Sequence, residues 1–245
     1  MPKLSAFPKC YLERIANRQM SVFEWIEMAK SLDADGLEMY EGFFTSFEND
    51  YLASVADAIR GAGFAMPMLC CSPDFTARDS DKRKREIERE AEMIRAAHRL
   101  GGTGTVCRVL SGQRYPEVTW EQGREWVISA ILEVLPVARE YGVILGMENH
   151  YKDGFWQYPE FAQKMDRFLE IVNLIEDHDD FGVQYDPSNA IVAGDDPIEL
   201  LRNVANRVVS MHASDRYLAE GSTLADLRQS DGTLGYSPNL RHGVT

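Results

Sequence analysis

Seven apolar runs of strand length recur along the chain, with long amphipathic segments between them. The runs occupy residues 3–7, 36–40, 64–70, 103–109, 143–149, 181–185 and 208–213. Several of them show no alternation of polar and apolar residues, which is typical of parallel strands covered on both faces. Strands that alternate with helices predict a parallel sheet, either closed into a barrel or open and doubly wound.

The amphipathic segments carry the usual signals of helix ends. Ser21 and Glu24 have the spacing of a capping box, and Pro159 lies where a first helical residue is expected. Gly142 is positioned to end the helix before the fifth run. The chain has no linker, no low-complexity tract and no break in composition, so we expect residues 1–245 to form a single domain.

The number of strands separates the two kinds of parallel sheet. Motifs of the GxGxxG and GxxxxGK[ST] types do not occur, which disfavours the nucleotide-binding open sheets. The seven strands begin about 34 residues apart on average, so an eighth would begin only near the end of the sequence given, at Thr245. We therefore predict an α/β fold, a (β/α)8 TIM barrel that lacks its eighth strand and helix.

Composition excludes several classes of protein. The formal net charge is −13 and the sequence pI is about 4.9, which disfavours a nucleic-acid partner because such binding depends on basic patches. No apolar stretch reaches the length of about 18 residues that a membrane span requires. The four cysteines form no CxxC motif and are expected to be free thiols, which predicts a cytoplasmic protein.

Potential metal ligands end three consecutive predicted strands. Glu148 ends the fifth strand, Asp186 follows the sixth and His212 lies at the end of the seventh. Because the carboxyl ends of parallel strands share one rim, where α/β proteins carry their chemistry, these side chains are expected to converge. Two carboxylates and an imidazole suit a divalent ion such as Mn²⁺, Mg²⁺, Co²⁺ or Zn²⁺.

Each of these residues also has a purely structural interpretation. Glu148 could be the buried partner of Arg108, Asp186 a turn former or helix cap, and His212 a hydrogen-bonded core histidine. Taken together, the three favour a metal site, because buried acids are costly unless they are paired or bound to metal. Glu38 is a weaker candidate for lining the pocket, with a salt bridge as the alternative.

Three segments resemble the metal-ligand segments of the xylose isomerase-like TIM barrels. They are Met147-Glu148-Asn149-His150, Tyr185-Asp186-Pro187-Ser188-Asn189 and Met211-His212-Ala213-Ser214-Asp215. The resemblance extends from Gly36-Leu37-Glu38 to Arg241-His242-Gly243 and is closest to the sugar phosphate isomerase/epimerase family, which includes ketose 3-epimerases. The three segments are specific for the superfamily and are poor guides to the substrate.

This resemblance implies four metal ligands, of which three match Glu148, Asp186 and His212. The fourth is a glutamate from the last strand and has no counterpart before Thr245. We therefore expect the chain as given to be C-terminally truncated, to bind metal weakly or not at all and to have little activity. The apurinic endonucleases of the superfamily have a histidine where this chain has Asn189, which disfavours DNA repair.

The predicted function is a metal-dependent isomerase or epimerase of a sugar or related polyol. Glu148 is expected to remove or return the proton next to a carbonyl that the metal polarises, while Arg108 and His150 contact the substrate. A lyase of the inosose- or dehydroshikimate-dehydratase type would begin with the same proton abstraction. The other alternative is a non-catalytic binding protein, because an open sheet edge invites pairing with another chain, including a second copy.

Overall fold

A parallel β-sheet forms the centre of the fold, and helices pack against it. The computed structural model describes residues 2–177, 179–234 and 238–242. Six strands are paired in the order β3-β4-β5-β6-β7-β8, and every neighbouring pair is parallel. The parallel strands are β1 (Ser5–Ala6), β2 (Gly36–Leu37), β3 (Met39–Tyr40), β4 (Met68–Cys70), β5 (Val106–Val109), β6 (Ile144–Glu148), β7 (Phe181–Tyr185) and β8 (Val208–Met211).

Strands β1 and β2 add a seventh position to this parallel arrangement. Ser5 pairs with Gly36 in parallel, and only Glu38 separates β2 from β3. Gly36 also forms a parallel bridge to Ala65, just before β4, so residues 36–40 act as one interrupted strand. All seven predicted strands are therefore present, each within the predicted range and most of them shorter.

The remaining two strands lie outside the parallel arrangement. β9 (Arg216–Leu218) and β10 (Leu240–His242) pair with each other in antiparallel orientation. Among the residues that the structure describes, no eighth parallel strand joins β8 to β1. This confirms the predicted α/β architecture of an incomplete TIM barrel, with seven parallel strand positions and no eighth among the described residues.

Nine α-helices accompany the strands in the described ranges. They are α1 (Leu12–Ala16), α2 (Val22–Ala29), α3 (Asn49–Gly61), α4 (Ser80–Gly101), α5 (Trp120–Tyr141), α6 (Met165–Leu174), α7 (Pro187–Val192), α8 (Pro197–Val204) and α9 (Leu224–Leu227). The capping box before α2 is confirmed, since Ser21 Oγ accepts from the Glu24 N–H and the Glu24 carboxylate accepts from the Ser21 N–H. None of these helices combines the length and the apolar character that crossing a bilayer requires.

The helix after β6 begins later than the sequence predicted. Pro159 was expected to be a first helical residue, but α6 begins at Met165. The Pro159 carbonyl instead accepts from the Arg114 N–H at 2.8 Å, and the Met165 N–H donates to the Asp195 carboxylate at 2.7 Å. Hydrogen bonds to distant parts of the chain thus satisfy this segment's backbone and set the start of the helix.

Burial on both faces of the sheet explains why the strand sequences do not alternate. Every residue of β5 and of β7 is buried. β8 is different, because its residues are only half-buried and Met211 is exposed. All four cysteines are free, as predicted.

A buried carboxyl group lies in the interface between α4 and β5. Glu90 of α4 is 1% exposed, and the Cys107 thiol is 3.5 Å from its Oε1. Burial and, to a smaller extent, the charge of Glu41 raise the pKa of Glu90 to about 8. The folded protein therefore holds this carboxyl group in its neutral form through most of the neutral range.

The raised pKa of Glu90 predicts a pH-dependent loss of stability. The unfolded chain releases this proton near pH 4.5 and the folded chain near pH 8, so the folded state binds more protons in between and loses stability as the pH rises through that window. Glu90→Gln removes this effect. Urea unfolding should show that the variant gains stability relative to wild type at pH 8 and gains much less at pH 5. An equal difference at both pH values would contradict the assignment.

The end of α5 supplies a second stability prediction. Gly142 has φ +62°, and a Cβ at this position would lie 2.8 Å from Thr103 Cγ2. Gly142→Ala is therefore expected to lower the free energy of unfolding by about 1–2 kcal/mol. Gly61→Ala is the matched control, because it adds a Cβ at a helix end with no atom within 4 Å. Urea midpoints should fall only for the Gly142 variant, and equal midpoints would refute the packing argument.

Candidate metal centre

Three of the predicted site residues meet at the carboxyl ends of neighbouring strands. Glu148 is the last residue of β6, Asp186 follows β7 and His212 follows β8. β7 and β8 are held in register, with Tyr185 paired to Met211, so the residues that follow them lie side by side. His212 Nδ1 is 3.4 Å from Glu148 Oε1 and 3.4 Å from Asp186 Oδ2.

The spacing of these donor atoms fits a divalent ion. All three lie within 4.8 Å of one another. Two ligand atoms that are each about 2.1 Å from one tetrahedral ion lie about 3.4 Å apart. This is the distance from His212 Nδ1 to Glu148 Oε1 and to Asp186 Oδ2. Glu148 and Asp186 are 2% and 6% exposed, whereas the His212 side chain is 22% exposed. The two carboxylates are therefore buried, and solvent or a ligand can reach the site from the side of His212.

In both Asp186 and Glu148, one carboxylate oxygen is hydrogen-bonded away from His212 and the other is directed at its imidazole. Asp186 Oδ1 accepts from the Asn189 N–H at 2.9 Å and from Ser214 Oγ at 2.6 Å. Asp186 is thus the N-cap of α7, as one interpretation of the sequence predicted, and still offers Oδ2 to the site. Glu148 Oε2 accepts from Arg108, and Oε1, which also accepts from Asn189 Nδ2, lies beside the imidazole.

Arg108 is a buried structural partner of Glu148 in this structure. Its Nη1 donates to Glu148 Oε2 at 2.7 Å, its Nε to the Cys71 carbonyl at 2.9 Å and its Nη2 to Ser72 Oγ at 2.9 Å. The side chains of Arg108 and Glu148 are 8% and 1% exposed. The ion pair was one of the two interpretations of the sequence, and a contact between Arg108 and substrate stays a prediction.

The charges in the site strongly shift the pKa values of Glu148 and His212. Burial raises the pKa of Glu148, but His150, Arg108 and His212 outweigh burial and hold that pKa well below its usual value. Burial lowers the pKa of His212, but its hydrogen bonds, first of all that with Asp186, raise it well above its usual value. An entering cation must displace the proton from His212, so metal binding to these residues is coupled to proton release.

The contacts of the His150 ring are with Tyr151 and Glu160. Its ring stacks on Tyr151 with centroids 5.1 Å apart, and its Nδ1 is 3.8 Å from Glu160 Oε2. Both of these buried atoms are without a hydrogen-bond partner in the part of the chain that is described. A role for His150 in binding substrate therefore stays a prediction, while its ring is one of the groups that lower the pKa of Glu148.

Sequence reasoning underestimated the polar residues around the centre. Glu38 Oε2 is 3.2 Å from His212 Nε2, so its salt-bridge interpretation describes its contact. Asn149 joins two strand ends, because its side chain donates to the Asp186 carbonyl at 2.7 Å and accepts from the Asp186 N–H at 2.8 Å. Asn189 Nδ2 donates to Glu148 Oε1 at 3.0 Å. The sequence did contain one signal for these residues, which is their position, because they also lie at or just after strand ends.

The ion pair between Arg108 and Glu148 predicts a large effect on stability. Arg108→Met leaves a buried carboxylate without its cation and is expected to lower the free energy of unfolding by about 3–5 kcal/mol. The double variant Arg108→Met/Glu148→Met should recover part of this loss, because both charges are gone. Lys30→Met is the control, since Lys30 and Glu27 form an exposed pair worth less than about 1 kcal/mol. Similar urea midpoints for Arg108→Met and Lys30→Met would contradict this assignment.

Comparison with known families agrees with the fold. A family model described as a xylose isomerase-like TIM barrel matches residues 26–241. Comparison with curated proteins gives no match.

Several solved structures resemble this chain. A D-tagatose 3-epimerase-like protein matches with a TM-score of 0.70 and 16% identity over 90% of this chain and 81% of its own. The IolI protein, solved with a binding zinc atom, matches with a TM-score of 0.69 and 16% identity over 88% and 73%. The probable 3-DHS dehydratase AsbF from Bacillus anthracis matches with a TM-score of 0.68 and 14% identity over 98% and 83%. At these identities the likeness shows a shared fold.

Proposed function

This chain belongs to the xylose isomerase-like TIM barrel family, and we propose that it is a metal-dependent isomerase or epimerase of a sugar or related polyol. The observation that carries the proposal is the convergence of Glu148, Asp186 and His212, with both distances from the imidazole at 3.4 Å. The epimerase-like neighbour and the zinc atom of the IolI structure support the same class of site.

The donor set is compatible with several divalent ions. Glu148 Oε1, Asp186 Oδ2 and His212 Nδ1 would hold Mn²⁺, Mg²⁺, Co²⁺ or Zn²⁺. When bound, such an ion supplies Lewis acidity to a carbonyl and an adjacent hydroxyl of the substrate. The partly exposed side chain of His212 leaves the site open to a small molecule with those groups.

Glu148 is the residue placed to move the proton. Arg108 and the neighbouring histidines lower its pKa, so the carboxylate is in its base form at neutral pH. Its Oε2 contacts Arg108 Nη1 at 2.7 Å. When the carboxylate accepts a proton from the substrate carbon, its attraction to Arg108 weakens. The guanidinium is then available to stabilise the negative charge that develops on a substrate oxygen.

A lyase is the second candidate. The probable 3-DHS dehydratase covers 98% of this chain and 83% of its own length, a broad structural match. Glu148 would remove the same proton, and the reaction would then continue with loss of a hydroxyl group one carbon further along. The product would be an unsaturated ketone, whose ultraviolet absorption distinguishes the lyase from an isomerase.

Hydrogen exchange in heavy water tests the proposal. Full-length wild-type protein, including any residues beyond Thr245, is incubated with saturating Mn²⁺ and a panel of ketoses and polyol-derived ketones in D₂O. Deuterium should appear at the carbon next to the carbonyl, as measured by mass spectrometry and NMR. Glu148→Gln should reduce the rate by at least about 100-fold, because it removes the base. Glu133→Gln, an exposed change on α5, is the control and should exchange like wild type.

Four outcomes of this experiment lead to different conclusions. Exchange that depends on Glu148 supports the isomerase or epimerase, and an absorbing product supports the lyase. Exchange that persists in Glu148→Gln would show that another group is the base. If wild type binds the ion and no member of the panel exchanges, the proposed activity on this class of substrate is wrong.

A further inference from the structure

Glu38 is a buried carboxylate at the edge of the candidate metal centre. It lies between β2 and β3, on the second position of the parallel arrangement, and is 5% exposed. Its Oε1 accepts a hydrogen bond from Ser5 Oγ at 2.8 Å, and its Oε2 is 3.2 Å from His212 Nε2. Both carboxylate oxygens therefore have defined partners, one from β1 and one from the imidazole.

The two nitrogens of His212 face different groups. Nδ1 is 3.4 Å from Glu148 Oε1 and from Asp186 Oδ2, whereas Nε2 faces Glu38. A neutral imidazole carries a hydrogen on one nitrogen and a lone pair on the other, and only the lone pair can bind a metal ion. A carboxylate beside Nε2 stabilises the hydrogen there and leaves the lone pair on Nδ1.

We propose that Glu38 is a positioning residue that holds the hydrogen of His212 on Nε2 and thereby directs the Nδ1 lone pair at a divalent ion bound between Glu148 and Asp186. This inference rests on the proposed metal-dependent function. Glu38 acts on the ion only through the imidazole. The Ser5 hydroxyl fixes the carboxylate in turn, so β1, at one end of the parallel arrangement, supports a ligand on β8, at the other end.

A competing arrangement uses the opposite nitrogen. The donor atoms of Glu38, Cys70 and His212 also lie within 4.8 Å of one another, so an ion bound through Nε2 is geometrically possible. Because the neutral ring has one lone pair, an ion at Nε2 would take His212 away from Glu148 and Asp186. Glu148 Oε2 and Asp186 Oδ1 accept hydrogen bonds from Arg108 and Ser214, so the other oxygen of each carboxylate faces the imidazole. This arrangement favours binding of the ion through Nδ1.

The first experiment identifies the nitrogen that binds the ion. Wild-type protein with isotope-labelled histidine is loaded with Cd²⁺, and cadmium–nitrogen spin coupling is recorded by NMR. We expect coupling to Nδ1 of His212 and a hydrogen on Nε2. Coupling to Nε2 would overturn the proposal.

The second experiment measures the affinity for Zn²⁺ by competition with a chelator. Glu38→Ala should weaken binding by about 10–100-fold, and Glu38→Gln should weaken it less, because the amide oxygen still accepts from Nε2–H. Glu41→Gln is the matched control. Glu41 is also a buried carboxylate beside β3, but it pairs with Arg89 and should leave the affinity near that of wild type.

These results separate the inference from the function on which it rests. If wild type binds Zn²⁺ and both Glu38 variants bind equally well, the role of Glu38 is wrong and the metal site stands. If full-length wild-type protein, including any residues beyond Thr245, binds neither ion, both the inference and the metal dependence of the proposed function fail. If Glu38→Ala does not fold, Glu38→Gln and Ser5→Ala replace it, with Ser5→Ala expected to weaken binding by a few-fold.

Discussion

The burial of charge at the ends of β6, β7 and β8 is the constraint on which the rest of this site depends. A buried carboxylate is stable only if cations or hydrogen-bond donors surround it. Glu148 meets this requirement through Arg108 and Asn189, and Asp186 meets it through Ser214 and the first turn of α7. The surrounding polar groups are therefore needed both for folding and for directing Glu148 Oε1 and Asp186 Oδ2 at the imidazole of His212.

The sequence predicted the architecture well because parallel strands buried on both faces leave a clear pattern. All seven strands were found from apolar runs, and the rim position of Glu148, Asp186 and His212 followed from strand order alone. The start of α6 was missed, because it is set by Asp195, a residue 30 positions away that local signals do not reveal. Pairings of this kind depend on tertiary structure and overrule a favourable proline.

Prediction of the site was limited in the same way. Residue types at strand ends were enough to propose a set of ligands, but not to say which atom of each faces the centre. Arg108 was open to two interpretations, and its distances to Glu148, Cys71 and Ser72 assign it a structural contact. Glu38 is 174 residues from His212 in the chain, so no spacing rule connects them; only the curvature of the sheet does.

The paired hydrogen bonds of Asn149 have a further consequence. One amide side chain links the end of β6 to both backbone groups of Asp186, so two neighbouring strand ends are joined without using either acidic side chain. The separation of Glu148 and Asp186 is therefore set by hydrogen bonds between the Asn149 side chain and the Asp186 backbone, which a bound cation neither forms nor breaks. Loading and release of an ion should cost little reorganisation, and empty and filled forms should superimpose closely at this rim.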